Sequence, residues 1–153
     1  MHSRTHKISF YALLICFAAI LSVTFMKSKW NNKGSEAVLS WDVTGYYLYL
    51  PAAFIYQDVQ HLEFKDSVYK KYEFSSSFYQ AFELGDGDWL LQYPIGQAVM
   101  YLPGFLLGHL GALVTDYPAD GFSIPYQFGI WLQGILVAFL GLWLLRGFLI
   151  HYF

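Results

Sequence analysis

The stretch ISFYALLICFAAILSVTFM, Ile8 to Met26, decides how the rest of the chain is read. It is apolar throughout, and at ~1.5 Å per residue it is long enough to cross the ~30 Å hydrocarbon core as a helix. Arg4 and Lys7 stand before it and Lys27-Ser28-Lys29-Trp30 follow it. A basic start followed by an apolar run also describes a cleaved secretion signal. No small-x-small cleavage site follows Met26, however, and Ile15 before Cys16 is not the small residue that lipoprotein processing needs. The expectation is an uncleaved anchor.

A second apolar run, FGIWLQGILVAFLGLWLL from Phe128 to Leu145, is closed by Arg146 and carries Trp131 and Trp143 as interfacial anchors. Between the two lies Pro94 to Val114, PIGQAVMYLPGFLLGHLGALV, which is long enough to cross but holds Pro94, Pro103, four glycines and His109. Its composition fits interfacial helices, a re-entrant segment or a third span. Charge placement separates these. All eleven acidic residues fall between Glu36 and Asp120, whereas the ends carry only bases, Arg4 and Lys7 at the front and Arg146 at the back. Two spans with both termini in the cytoplasm put every base-only end inside and every acid outside.

Composition agrees. Of 153 residues, 56% are hydrophobic, 21% aromatic and only 13% charged, against about a quarter charged in soluble domains. The expected fold is an α-helical integral membrane protein. It has two transmembrane helices, or three if 94–114 spans, and a mixed α/β extracytoplasmic loop holding interfacial helices and a short hairpin. The segments are 1–7 cytoplasmic, 8–26 spanning, 27–127 extracytoplasmic, 128–145 spanning and 146–153 cytoplasmic. The expected location is a bacterial inner membrane, with membrane lipid as the immediate partner. No basic run is dense enough for nucleic acid. Cys16 is the single cysteine, which excludes an intrachain disulfide.

The outer segment opens on a polar connector, Trp30 to Ser40, and turns helical from Asp42, where Tyr46, Tyr49, Leu50, Ala53 and Phe54 recur at three- and four-residue spacing. Pro51 kinks this helix or starts another, and Gln57-Asp58 ends it. Phe78–Leu84 and Trp89–Tyr93 flank Gly85-Asp86-Gly87-Asp88, a hairpin signal.

Asp42 is the leading candidate for chemistry. A carboxylate near hydrocarbon is costly unless solvated, paired or used. It suits a general base or metal ligand at the outer face, and equally a helix N-cap. Tyr46 and Tyr47 are candidate walls of a substrate site. Asp86 and Asp88 form a D-x-D, a spacing that holds Mg²⁺ or Mn²⁺, although turn chemistry explains the same residues. Asp116 and Asp120 read as a solvated loop, and His61 and His109 lack a second ligand at metal spacing. No Gly-rich phosphate loop, nucleophile elbow or Cys-x-x-Cys is present.

At Asp42 the residues meet a family. A basic start, one span, then an acid followed by Tyr46-Tyr47 and a small-residue helix resembles the first half-loop of GT-C membrane glycosyltransferases, such as the protein O-mannosyltransferases and lipid A aminoarabinose transferases. Tyr93-Pro94-Ile95-Gly96 and Met100-Tyr101-Leu102-Pro103 resemble their juxtamembrane helix, and Trp143-Leu144-Leu145-Arg146 the corner after their second span. The resemblance covers nearly the whole chain and implies sugar transfer from a polyprenyl-phosphate carrier to an acceptor at the outer face, with Asp42 as base or metal partner. Two departures stand out. Val43 and Thr44 occupy positions where the family has a second acid, and no arginine lies between Arg4 and Arg146. Family members have many more spans, so the expectation is an N-terminal fragment, inactive alone, that needs its missing C-terminal half or a partner membrane chain. The alternative is a non-enzymatic membrane protein whose outer domain binds a partner or lipid.

Overall fold

A computed structural model describes residues 2–152, with side chains from 7 to 152; the Arg4 side chain, Met1 and Phe153 lie outside the described residues. The helices are α1 (His2–Met26), α2 (Asp42–Tyr47), α3 (Tyr49–Pro51), α4 (Lys65–Tyr72), α5 (Gly96–Leu113) and α6 (Ile124–Tyr152), with a hairpin of β1 (Ala81–Glu83) and β2 (Trp89–Leu91) between α4 and α5. The chain divides into two compact units, one of residues 1–28 with 134–153 and one of Lys29–Gln133.

In the first unit, α1 and the second half of α6 pair through aromatic contacts. Phe17 meets Phe139 at 4.6 Å and Phe10 meets Trp143 at 6.2 Å, so the two helices run in opposite directions. Arg146 sets its guanidinium 5.7 Å from both the Phe10 and Trp143 rings. Within α1, the Ser22 and Thr24 hydroxyls fold back onto the carbonyls of Ala18 and Ile20, so neither is left unsatisfied in the apolar run. Large apolar side chains stay exposed on both helices, among them Ile15, Val23, Leu136, Leu144 and Phe148. Two helical segments are long and apolar enough to cross a membrane, Lys7–Asn31 and Ile124–Tyr152. The second is longer than the 128–145 expected, because residues 124–127 and 146–152 also join the helix.

The second unit closes around Leu39, Tyr47, Leu48, Leu62, Phe74, Phe105, Phe122 and Tyr126, all nearly or fully buried. Tyr47 sits at its centre, ring against Phe105 and Phe122, with its hydroxyl donating to the Gly121 carbonyl at 2.5 Å. The helical stretch from Asp42 runs on through Pro51, whose backbone keeps helical angles, with the Ala52 N–H bonded to the Leu48 carbonyl across it. α3 ends at Pro51 and the chain continues through a wide turn, Ala52–Tyr56, that Gln57 stops in a left-handed conformation. The hairpin pairs Ala81 with Leu91, Phe82 with Leu90 and Glu83 with Trp89. Gly85 and Gly87 take the positive φ that its turn needs.

Within 94–114, α5 is one helix rather than a broken pair. Its inner face, Ala98, Gly104, Phe105, Gly108 and Ala112, is buried, whereas Val99, Leu107, Leu110 and Leu113 are exposed. Pro103 sits inside it. Beside the proline, the Gln133 side-chain amide inserts into the helix ladder: its oxygen accepts the Gly104 N–H at 2.6 Å and its nitrogen donates to the Met100 carbonyl. Those two backbone groups would otherwise bond each other, so one amide bridges the ladder between them. The close approach requires glycine, since a Cβ on Gly108 would stand 2.6 Å from the Tyr126 Cα.

Candidate functional site

The site is built from the first turn of α2. Trp41, just before it, has φ 53° and ψ −130°, a conformation that costs a non-glycine residue of order 1–3 kcal/mol. It is held there by three bonds. Its N–H donates to the Phe74 carbonyl at 2.8 Å, its indole N–H to the Ser35 carbonyl at 3.1 Å, and its carbonyl accepts from the buried Gln80 amide at 3.3 Å. Pinning the peptide on both sides fixes where α2 begins, and with it the direction of the Asp42 side chain.

Asp42 is exposed. One carboxylate oxygen, Oδ1, accepts the Tyr93 hydroxyl at 2.6 Å and the Tyr79 hydroxyl at 2.9 Å. Neither bond goes to a helix N–H, so the carboxylate does not act as the N-cap that the sequence allowed. Its other oxygen, Oδ2, has no hydrogen-bond partner among the described residues. The Tyr93 hydroxyl, then that of Tyr79, holds the carboxyl below its ordinary range, outweighing a small opposing effect of burial. At neutral pH the group is an ionised acceptor. Desolvation, followed by the bond to Asp42, pushes Tyr93 and Tyr79 upward, so both stay protonated donors.

Tyr93 reaches Asp42 because of Gly45. Positions 42, 45 and 46 share one face of α2. A Cβ at Gly45 would collide with the Tyr93 ring, so the missing side chain is the space that the ring occupies. Tyr46 packs against the same ring at 4.6 Å, and the Tyr49 hydroxyl donates to the Tyr93 carbonyl at 2.5 Å. Strand β2 thus delivers Tyr93 to a prepared slot, and Tyr79, just before β1, completes the pair.

Tyr46 therefore borders Asp42 through Tyr93. Tyr47 does not. It turns about 100° further round α2 and is wholly buried, so it is a core residue rather than a substrate wall. Sequence reasoning missed Tyr79, Tyr93 and Gly45, which lie 37, 51 and three residues from Asp42. The small residue at position 45, within a tyrosine-rich turn, was the one local sign.

Asp86 and Asp88 are both placed by the hairpin turn. Asp86 is exposed at the hairpin tip, while Asp88 accepts from Gln60 at 2.8 Å and stands 3.1 Å from His61 Nδ1. Among the described residues no group of three or more His, Cys, Asp or Glu that could hold a metal ion is gathered. Asp120 is more than a solvated loop. Its Oδ2 accepts Lys71 at 2.7 Å and the Tyr72 hydroxyl at 2.6 Å, and its Oδ1 accepts the N–H groups of Phe122 and Ser123. It ties α4 to the start of α6. His109 meets the Tyr126 hydroxyl at 2.6 Å and serves packing.

Comparison with family models, with curated proteins and with solved structures finds no match. The site must be argued from its own chemistry.

Proposed function

We propose that the chain is an integral protein of a bacterial inner membrane, with both termini cytoplasmic and the acids of residues 36–120 outside, forming the front portion of a GT-C-type glycosyltransferase. The exposed apolar surface of α1 and α6 supports the membrane reading, because water would leave such faces costly and hydrocarbon would not. The exposed side of α5 suits an interfacial position better than a third crossing, since its other side belongs to the core of the outer unit.

The observation that carries the enzymatic reading is Asp42 itself. An ionised carboxylate is held by two tyrosine hydroxyls on one oxygen, and the other is free for a substrate hydroxyl. In this account Oδ2 accepts a hydrogen bond from the acceptor hydroxyl and aligns its oxygen toward the sugar carbon of a polyprenyl-phosphate-linked donor. A carboxylate with a lowered pKa is a weak base, so it takes the proton only as the new bond to carbon forms and the bond from that carbon to the carrier phosphate breaks, the polyprenyl phosphate leaving with the electron pair. Tyr46 and Tyr93 border the hydroxyl. The carrier phosphate is left to basic groups supplied by further spans or a partner membrane chain.

Membranes containing the chain in its natural genetic context, given a radiolabelled polyprenyl-phosphate sugar, test this. Asp42→Asn should lower transfer by about 10²–10⁴-fold with insertion unchanged. Undiminished transfer by a correctly inserted variant removes the assignment. The second reading, a non-enzymatic module that binds lipid or a partner, is favoured by the exposed α5 face and predicts no transfer by either protein.

A further inference from the structure

A groove of about 690 Å³ opens beside Trp41, on the outer unit. Its lining includes Lys33, Gly34, Trp41, Lys70, Glu73 and Ser76. That is within the size range of small-molecule sites. Three of these residues have left-handed backbones: Gly34 at φ 65°, Trp41 at 53° and Glu73 at 47°. Glu73 closes α4 in the usual way, but Trp41 is strained, and the residue is 44% exposed beside the groove.

Four polar side chains of the lining are uncommitted. No ion pair or side-chain hydrogen bond engages Lys33, Lys70, Glu73 or Ser76 among the described residues, although Lys65 and Lys71 on the same α4 are both paired. Two lysines against one glutamate give a lining of net charge +1, suited to one phosphodiester. Lysine binds phosphate as a flexible point charge. Glu73 and Ser76 can bond hydroxyls, and an exposed tryptophan is an interfacial side chain.

Connectivity supplies the source. Helix α1 ends at Met26, and Lys33 follows seven residues later, within about 25 Å of chain. The groove lining therefore begins a short way along the chain from the membrane surface wherever that helix inserts. We infer that this groove binds the headgroup of an anionic, hydroxylated phospholipid, with Lys33 and Lys70 on the phosphate, Glu73 and Ser76 on the headgroup hydroxyls and Trp41 against the glycerol backbone. The inference rests on the membrane reading and is independent of any chemistry at Asp42.

The test uses the full chain in nanodiscs of phosphatidylcholine with or without phosphatidylglycerol, following the Trp41 indole N–H by NMR, assigned with Trp41→Phe. Co-elution with the discs checks insertion separately, so failure to insert and failure to bind are told apart. Phosphatidylglycerol should shift the signal saturably, and Lys33→Gln with Lys70→Gln should weaken that response on the order of tenfold or more. Lys27→Gln with Lys29→Gln should leave it in place. An equal response to both lipids overturns the inference, as does equal loss in the two double variants, which would mean bulk surface attraction only. Saturation by soluble glycerol 3-phosphate at similar concentration would also overturn it, marking a soluble-ligand site.

Discussion

The ring of Tyr93 occupies the place where a side chain on Gly45 would be, and from there its hydroxyl stands 2.6 Å from Asp42. One absent methyl group thus makes room for the hydroxyl that lowers the pKa of the carboxylate three residues earlier. It also links the segment after β2 to the head of α2, elements separated along the chain by α3, α4 and β1.

Gly45→Ala should displace Tyr93 and remove its bond to Asp42. The carboxyl would then rise toward the ordinary aspartate value of 3.8. Carbon-detected NMR titration of Asp42 in wild type and variant measures this. An unchanged titration would mean that Tyr79 alone suffices.

The same bonds give the fold a pH dependence of definite sign. Asp42 is lowered in the folded state, so its contribution is present above the unfolded value near 3.8 and fades as pH falls through the lower folded value. Tyr93 is raised, so its contribution is complete below about pH 10 and is lost as pH climbs through its folded value. Asp42→Asn should flatten both the acid and the alkaline limbs of a stability–pH curve. A change on neither limb would contradict the hydrogen-bond account.

Much of this was open to sequence reasoning and some was closed to it, for physical reasons. Ile8–Met26 and Phe128–Leu145 announce their helices because apolar runs of that length have few other uses. Asp86-Gly87 announces the hairpin because its turn needs positive φ. Asp42 stood out because a carboxylate beside an apolar run is conspicuous. Its partners did not, since hydroxyls arriving from 37 and 51 residues away leave no periodic trace. Tyr47 misled because α2 turns adjacent tyrosines about 100° apart, one toward Tyr93 and one into the core. Pro103 suggested a break in 94–114, but Gln133, from the next helix, bridges the ladder beside it, and nothing local signals that.

Gln133→Leu removes that bridge while keeping bulk. Gly104 N–H and Met100 C=O then both lose the amide that bonds them. The expected loss is about 1–3 kcal/mol of unfolding free energy. Denaturant unfolding in detergent, followed by tryptophan fluorescence, measures it. A loss below about 0.5 kcal/mol, the range of neutral surface changes, would mean that α5 closes its own ladder.

Asp120→Ala strips four acceptor contacts from α4 and the start of α6. The Lys71 pair is half exposed and worth little in itself, so the cost falls on the Tyr72 hydroxyl and the two N–H groups. A drop of about 1–3 kcal/mol is expected, with Lys71→Ala costing under about 1 kcal/mol. Equal losses would assign the latch to charge rather than to hydrogen bonds.

The account depends most on the acids of the outer unit lying across the bilayer from the chain's end. With Cys16 replaced by serine, single cysteines at Asp42 and His151 can be challenged with a membrane-impermeant thiol reagent on cells whose outer barrier is opened. Labelling of position 42 before lysis, and of position 151 only after it, is the predicted result. Labelling of position 151 in intact cells, or of position 42 only after lysis, would contradict it.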